Sequence, residues 1–156
     1  MKVEFWIRKA LRTDLGPVGD LLVTCGLPTS GVEQHLAESY AVALATAAAS
    51  DHVIGVAGVE VYGGQGLLRS VAVLPAWQGR AVSRSLVRDR LAWAKQAGLD
   101  GIYLLTIDAA GYFKRLGFAG VDREEVPDEI KACNEFASLC PKSATAMMIR
   151  LGEHSG

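Results

Sequence analysis

The chain has few of the residues that build metal centres and disulfide frameworks. It contains three cysteines and three histidines in 156 residues, and no two cysteines form a Cys-x-x-Cys pair. An odd number of widely spaced cysteines argues against a disulfide framework and against a zinc ribbon. His35, His52 and His154 are dispersed, without the carboxylate spacing of a metal or nucleophilic triad. We therefore predict reduced thiols and no metal.

The chain also lacks an excess of charge of one sign and a long apolar run. Sixteen basic and 17 acidic residues give a formal net charge of -1, which does not favour nucleic acid or a membrane surface as a partner. The longest apolar run, residues 40–49, is about half as long as a membrane span, and residues 1–4 do not resemble a signal peptide. We expect a cytoplasmic protein with small-molecule partners, and a homodimer stays open.

Hydrophobic periodicity divides the chain into alternating strands and helices, and its length fits one domain. Strands are predicted at residues 4–9, 40–47, 52–62, 67–73, 102–106 and 145–151, and helices within 13–26, 30–38, 82–97, 109–116 and 127–137. The alanines of 40–47 leave that segment open between strand and helix, and a turn is expected at 50–51. The prediction is a single-domain α+β fold at residues 3–151, with a mixed, mostly antiparallel sheet, one parallel βαβ crossover, flanking helices and a flexible tail at 152–156.

The segment 67–83 carries the strongest functional signal in the chain. An apolar strand ends at Pro75, and Gln78 and Gly79 then lead through small residues into a helix. The first N–H groups of a helix have no partner within it and lie at the positive end of its dipole, so they bind anions. We predict a phosphate site at residues 78–83; the alternative is an ordinary strand-to-helix loop.

Three motifs then relate the chain to a known family. Gln-Gly after the strand end, Leu-x-x-Val-Ala-Val-x-Pro and Tyr-Phe-x-x-x-Gly-Phe together resemble the GNAT superfamily of N-acetyltransferases over residues 3–151. The resemblance implies direct transfer of acetyl from acetyl-CoA to a small amine in a ternary complex, without a metal. Segments 68–73, 103–106 and 136–144 resemble the arsenic-resistance-associated subgroup, which implies an amino-acid-like toxin as acceptor in arsenic or antibiotic resistance.

The resemblance also assigns the coenzyme-binding residues. The backbone of strand 67–73 would pair with the pantetheine arm, and an N–H near Val71 or Val73 would donate to the thioester carbonyl. Ala81 stands where a glycine is expected, and we predict ordinary helical dihedral angles for it. The predicted coenzyme-binding residues are Val71, Ala72, Val73, Gln78, Gly79, Arg80, Ala81, Val82, Ser83, Thr106 and Phe113.

Four further residues are predicted to act on the acceptor or on the departing thiolate. Glu60 is the predicted general base, with a solvated strand carboxylate as the alternative. Tyr112 is the predicted acid, although the family places its tyrosine at the position of Phe113, so Tyr112 could instead belong to the core. Arg69 and Ser70 are predicted to bind the substrate, since a guanidinium suits a carboxylate or an arsonate-like oxyanion; the alternative is a surface arginine paired with an acid.

A rival hypothesis from another class stays open. The changes at Ala81, Ser83 and Phe113 would also fit a non-catalytic module of the same fold that senses acyl-CoA or a metalloid. Cys133 and Cys140 could bind trivalent arsenic through their thiolates, although cysteine is also a common buried apolar residue.

Overall fold

A computed structural model describes residues 4–132 and 144–152 of the protein. Its strands are β1 (Trp6–Lys9), β2 (Tyr40–Ala47), β3 (Ser50–Tyr62), β4 (Gln65–Val73), β5 (Gly101–Thr106), β6 (Ala119–Gly120) and β7 (Thr145–Arg150). Its α-helices are α1 (Leu15–Thr24), α2 (Val32–Ser39), α3 (Val82–Gln96), α4 (Ala110–Arg115) and α5 (Asp128–Lys131). None of these helices is both long and apolar enough to cross a membrane.

The strands of the described residues form one seven-stranded sheet in the order β1-β2-β3-β4-β5-β7-β6. β4 and β5 pair in parallel, with Gln65 opposite Gly101. The pairs β1 with β2, β2 with β3, β5 with β7 and β6 with β7 are antiparallel. This arrangement confirms the predicted α+β class and its mixed sheet with one parallel crossover from β4 through α3 to β5.

The turn between β2 and β3 lies two residues earlier than predicted. Ala48 and Ala49 form it, with φ of 52° and 67°, and Ala47 pairs directly with Ser50. Two successive left-handed residues make the turn whose twist matches that of the flanking strands. The predicted turn at 50–51 is therefore wrong, because alanine gives no sequence signal for this conformation.

Several predictions concern segments at the end of the chain. The helix predicted at 127–137 is described as α5 with its flanking residues Pro127 and Ala132, and residues 133–137 lie outside the described residues. The same holds for Cys133, Cys140, His154 and residues 153–156 of the predicted tail. β6 was not predicted, because two residues are too few for a periodic pattern.

By its internal packing the chain divides into two compact units. The first comprises Met1–Val59 and Ser70–Ala92. Its strand β2 is buried on both faces: Tyr40, Val42 and Leu44 pack with residues of α1 and α2, whereas Ala41, Ala43 and Ala45 lie in the cluster that contains Val82 and Leu86 of α3. Burial on both faces explains why β2 lacks polar alternation and settles its open assignment as a strand.

Two buried charged side chains of the first unit, Arg90 and Asp14, form hydrogen bonds that link its helices to neighbouring segments. Arg90 of α3 donates from Nη1 to the carbonyl oxygen of Ser39, the last residue of α2, at 2.8 Å. Burial lowers the pKa of Arg90, and its contact with Asp89 opposes that shift. Arg8 donates two hydrogen bonds to Asp14, which hold the pKa of Asp14 below its usual value.

The second unit comprises Glu60–Arg69 and Trp93–Gly156. Its core contains Leu67 of β4, Tyr103 of β5 and Ile130 of α5, among others. The ends of β4 and β5 are tied by Asp100, whose N–H donates to the carbonyl of Gly64 at 2.7 Å. This unit therefore contains the parallel pairing of β4 with β5 and a small apolar core of its own.

Candidate active site

The segment that follows β4 folds into a tight turn before α3. The N–H of Leu74 donates to Ile54, and the N–H of Trp77 donates to Leu74. The side-chain amide of Gln78 donates back to the carbonyl of Val73 at 3.1 Å. These bonds join the turn to β3 and β4, and residues 78–80, which include the start of the next turn, are exposed.

The backbone of residues 79–81 adopts an unusual conformation. Gly79 has φ of 81° and Ala81 has φ of 67°. The expectation of ordinary helical angles at Ala81 is therefore wrong: the alanine keeps the left-handed conformation for which glycine is usual. Turns of this kind make concave groups of N–H donors that hold anions.

Helix α3 begins directly after this turn and has no acidic residue in its first turn. Arg80 lies over the ring of Trp77 at 4.9 Å, which adds a positive charge to the segment. A Cβ added at Gly79 would meet no atom within 4 Å. The start of α3 thus combines the first amides of a helix, a positive dipole end and open space, the requirements of a diphosphate site.

The other predicted residues of this segment differ in where their side chains lie. Ala72, Val73 and Val82 are buried in hydrophobic clusters. Val71 and Ser83 are half-buried. The buried members can contribute to a ligand only through their backbone, as the prediction for β4 requires.

Ser70 interrupts β4 just before the residues predicted to bind the thioester. It is buried and has φ of 62°, a left-handed conformation that costs an L-residue about 1–2 kcal/mol. Backbone strain of this kind is concentrated at functional sites.

Glu60 and Arg69 lie together in the second unit. Arg69 donates from Nη1 to Oε2 of Glu60 at 2.9 Å, and the side chains are 2% and 4% exposed. The hydroxyl of Tyr62 donates to Oε1 of Glu60 at 2.6 Å. The alternative of a solvated carboxylate is wrong, since Glu60 is buried. For Arg69 the alternative of a pairing with an acid is confirmed, but its surface location is wrong. The predicted roles of Glu60 as base and of Arg69 as anion ligand stay predictions.

Thr106, Tyr112 and Phe113 lie at the end of β5 and in α4. The hydroxyl oxygen of Thr106 accepts the N–H of Ala109 at 3.0 Å, just before α4 begins. Phe113 is buried between Tyr112 and Phe118, with ring centroids 5.2 and 5.7 Å away. Tyr112 is half-buried. Phe113 thus belongs to an aromatic cluster, and the three predicted roles stay predictions.

Sequence reasoning missed three residues that the structure brings into these arrangements. Tyr62 donates to Glu60 in the second unit. In the first unit Tyr40 contacts Ser70, and Gly58 lies against the ring of Tyr40. Gly58 was the available signal, because a lone glycine inside a strand often marks a close approach of other atoms. Among residues 4–132 and 144–152, no group of three His, Cys, Asp or Glu side chains is placed to hold a metal.

Residues 20–118 match the model of the acetyltransferase (GNAT) family. The chain belongs to this family. It is 32% identical over 76 residues to an uncharacterized N-acetyltransferase of Chlorobaculum tepidum, a match that covers 48% of this chain and 46% of that protein. The chain thus matches less than half the length of this relative.

Solved structures share the GNAT fold at low sequence identity. A Mycobacterium tuberculosis protein solved with coenzyme A has a TM-score of 0.78 and 21% identity, covering 94% of this chain and 99% of its own. N-acetylglutamate synthase of Neisseria gonorrhoeae, solved with coenzyme A and N-acetyl-glutamate, has a TM-score of 0.79 and 18% identity over 98% of this chain and 36% of its own. At these identities the likeness shows the fold.

The left-handed Ala81 leads to a stability prediction for this GNAT chain. Ala81→Gly is expected to raise the free energy of unfolding by about 0.5–1 kcal/mol, because relief of the left-handed strain exceeds the greater unfolded-state entropy of glycine. Ala92→Gly, at an exposed position inside α3, is the matched control and should lower it by about 1 kcal/mol. Urea unfolding measures both. Equal losses in the two variants would contradict the left-handed assignment.

Proposed function

We propose that the chain is an N-acetyltransferase that moves the acetyl group of acetyl-CoA directly to an amine in a ternary complex. The observation that carries the proposal is the left-handed turn at Gly79 and Ala81, followed at once by the start of α3. Such a turn offers several N–H donors to one diphosphate. The family match supports the same function.

The residues after β4 would hold the coenzyme mainly through their backbone. The amides of residues 78–83 would bind the diphosphate, and Arg80 and the hydroxyl of Ser83 would add donors. When bound, acetyl-CoA supplies the activated acetyl thioester. The N–H of Val71 or Val73 would donate to the acyl oxygen and stabilise the negative charge that develops there, an effect of about 3 kcal/mol for one donor.

The proposed acceptor is a small amine of amino-acid type. The subgroup resemblance supports an amino-acid-like toxin as the acceptor, and one structural neighbour is an N-acetylglutamate synthase. Arg69 would serve an anionic acceptor only if one side of its guanidinium bound the acceptor while Glu60 held the other. Glu60 as base would similarly need a water chain or the release of one of its hydrogen bonds.

The test measures thiol release from acetyl-CoA with a panel of amino-acid analogues and neutral amines, alongside calorimetric binding of coenzyme A. Release that depends on an amine, together with coenzyme binding, would support the proposal. Coenzyme binding without release for any amine would favour the sensing module instead. Failure to bind coenzyme A at all would contradict the transferase and the acyl-CoA sensor, since both depend on residues 78–83, and would leave only the metalloid-sensing form of the module.

A further inference from the structure

Tyr40 is a buried tyrosine whose ring fills the space beside Gly58, where any other residue would place its side chain. It is the first residue of β2 and is fully buried. It pairs with Gly58 of β3 in the antiparallel register. A Cβ added at Gly58 would overlap ring atoms Cε1 and Cζ of Tyr40. Only glycine at 58 therefore lets the tyrosine ring lie across β3.

The far end of the Tyr40 ring reaches the strained residue of β4. The phenolic oxygen of Tyr40 lies 3.3 Å from Oγ of Ser70, and either hydroxyl can be the donor. Ser70 is 8% exposed, so both hydroxyls are within the protein, where a polar group left without a partner is costly. The hydrogen bond therefore favours the side-chain position that the left-handed backbone of Ser70 provides.

The conformation of Ser70 decides the direction of the next amide. The N–H of Val71 belongs to the peptide group that follows Ser70, so a change from φ of 62° to ordinary strand angles would turn that N–H away from its present direction. In the proposed function this amide is one of the two candidate donors to the acyl oxygen, and the present inference assigns the role to it. A donor of that kind contributes only when it is aimed correctly before the reaction begins.

We propose that Tyr40 is a positioning residue for acetyl transfer: through its hydroxyl it holds Ser70 left-handed and so aims the amide of Val71. This inference rests on the proposed function. Gly58 is part of the same arrangement, because its lack of a side chain leaves room for the ring of Tyr40. None of these residues needs to touch the acceptor.

The experiment compares Tyr40→Phe, Ser70→Ala, Ser70→Gly and the double variant of Tyr40→Phe with Ser70→Gly. Tyr40→Phe should lower kcat about tenfold while KM for acetyl-CoA changes less than about twofold, since a transition-state donor is misaimed and the diphosphate site is intact. Ser70→Gly should lose less activity than Ser70→Ala, because glycine adopts the left-handed conformation without strain. With Ser70→Gly in place, Tyr40→Phe should have little further effect.

Tyr103→Phe is the matched control, since it removes the hydroxyl of another buried tyrosine, and its kcat should equal that of the wild type. Urea unfolding of every variant distinguishes a loss of stability from a changed orientation of the Val71 amide. A kcat for Tyr40→Phe within twofold of wild type, or the same tenfold loss in the Ser70→Gly background, would overturn the inference and leave the proposed function standing. A wild-type protein that binds coenzyme A without turning over any amine would overturn both.

Discussion

Gly79→Glu is expected to abolish coenzyme A binding. The substitution places a carboxylate at the start of α3, where the dipole and the first helix amides would hold the diphosphate, so like charges meet at close range. It also places a side chain on a backbone with φ of 81°, which costs about 1–2 kcal/mol. We expect calorimetry to detect no binding at coenzyme concentrations that saturate the wild-type protein.

Gly98→Glu is the control for this experiment. Gly98 follows the other end of α3, has φ of 85° and, like Gly79, has no atom within 4 Å of an added Cβ. The two variants therefore share the charge change and the backbone strain and differ in which helix end they occupy. Gly98→Glu should lose a similar amount of stability and keep its coenzyme affinity. Unchanged affinity in Gly79→Glu would contradict the diphosphate site.

Removal of one partner of the Glu60 and Arg69 pair should lower the free energy of unfolding by about 3–5 kcal/mol, because an unpaired charge stays buried. We expect this loss in Arg69→Met, measured by urea unfolding. Glu60→Leu combined with Arg69→Met should recover most of it, because the pair is then replaced by apolar side chains. Arg88→Met, at an exposed position of α3, should change stability by less than about 0.5 kcal/mol.

The same pair also decides how Glu60 acts in the proposed reaction. If Glu60 is the general base, Glu60→Gln should lower turnover mainly at low pH and recover partly as rising pH deprotonates the amine. If the pair serves the fold, Glu60→Gln should lower stability and leave the shape of the pH profile unchanged. Losses below about 0.5 kcal/mol in both Arg69→Met and Glu60→Gln would show that the buried pair does not stabilise the protein.

The order of strands and helices was predictable because apolar periodicity and glycine recur at the element boundaries. The diphosphate site stays a prediction, but the turn at Gly79 could be predicted for the same reason. The conformations of Ala81 and Ser70 could not, since both side chains ordinarily avoid left-handed backbone and so give no local signal. Their angles come from the tertiary structure around them, as the contact of Ser70 with Tyr40 illustrates.

The buried ion pair shows a different limit of sequence reasoning. Glu60 and Arg69 were each singled out from the sequence, but for separate roles in the predicted site. Their contact depends on how β3 and β4 return past Gly63 and Gly64, and a shift of one residue in that register would turn one side chain to the opposite face. Their residue types therefore identified Glu60 and Arg69 as candidates, but only the register of the strands determines that the two side chains form an ion pair.

The alanines of β2 and Gly55 of β3 lie at positions where little space is left for a larger side chain. Ala41, Ala43 and Ala45 lie in the same cluster as Val82 and Leu86 of α3, and a Cβ at Gly55 would come within 2.9 Å of Leu86. A larger residue at Gly55 would press on the side chains of Val82 and Leu86 in α3, and larger residues at the three alanines would enlarge the same cluster. If the amides at the beginning of α3 hold the diphosphate as proposed, substitutions at these small residues would change coenzyme affinity as well as packing, although the residues need not contact the coenzyme.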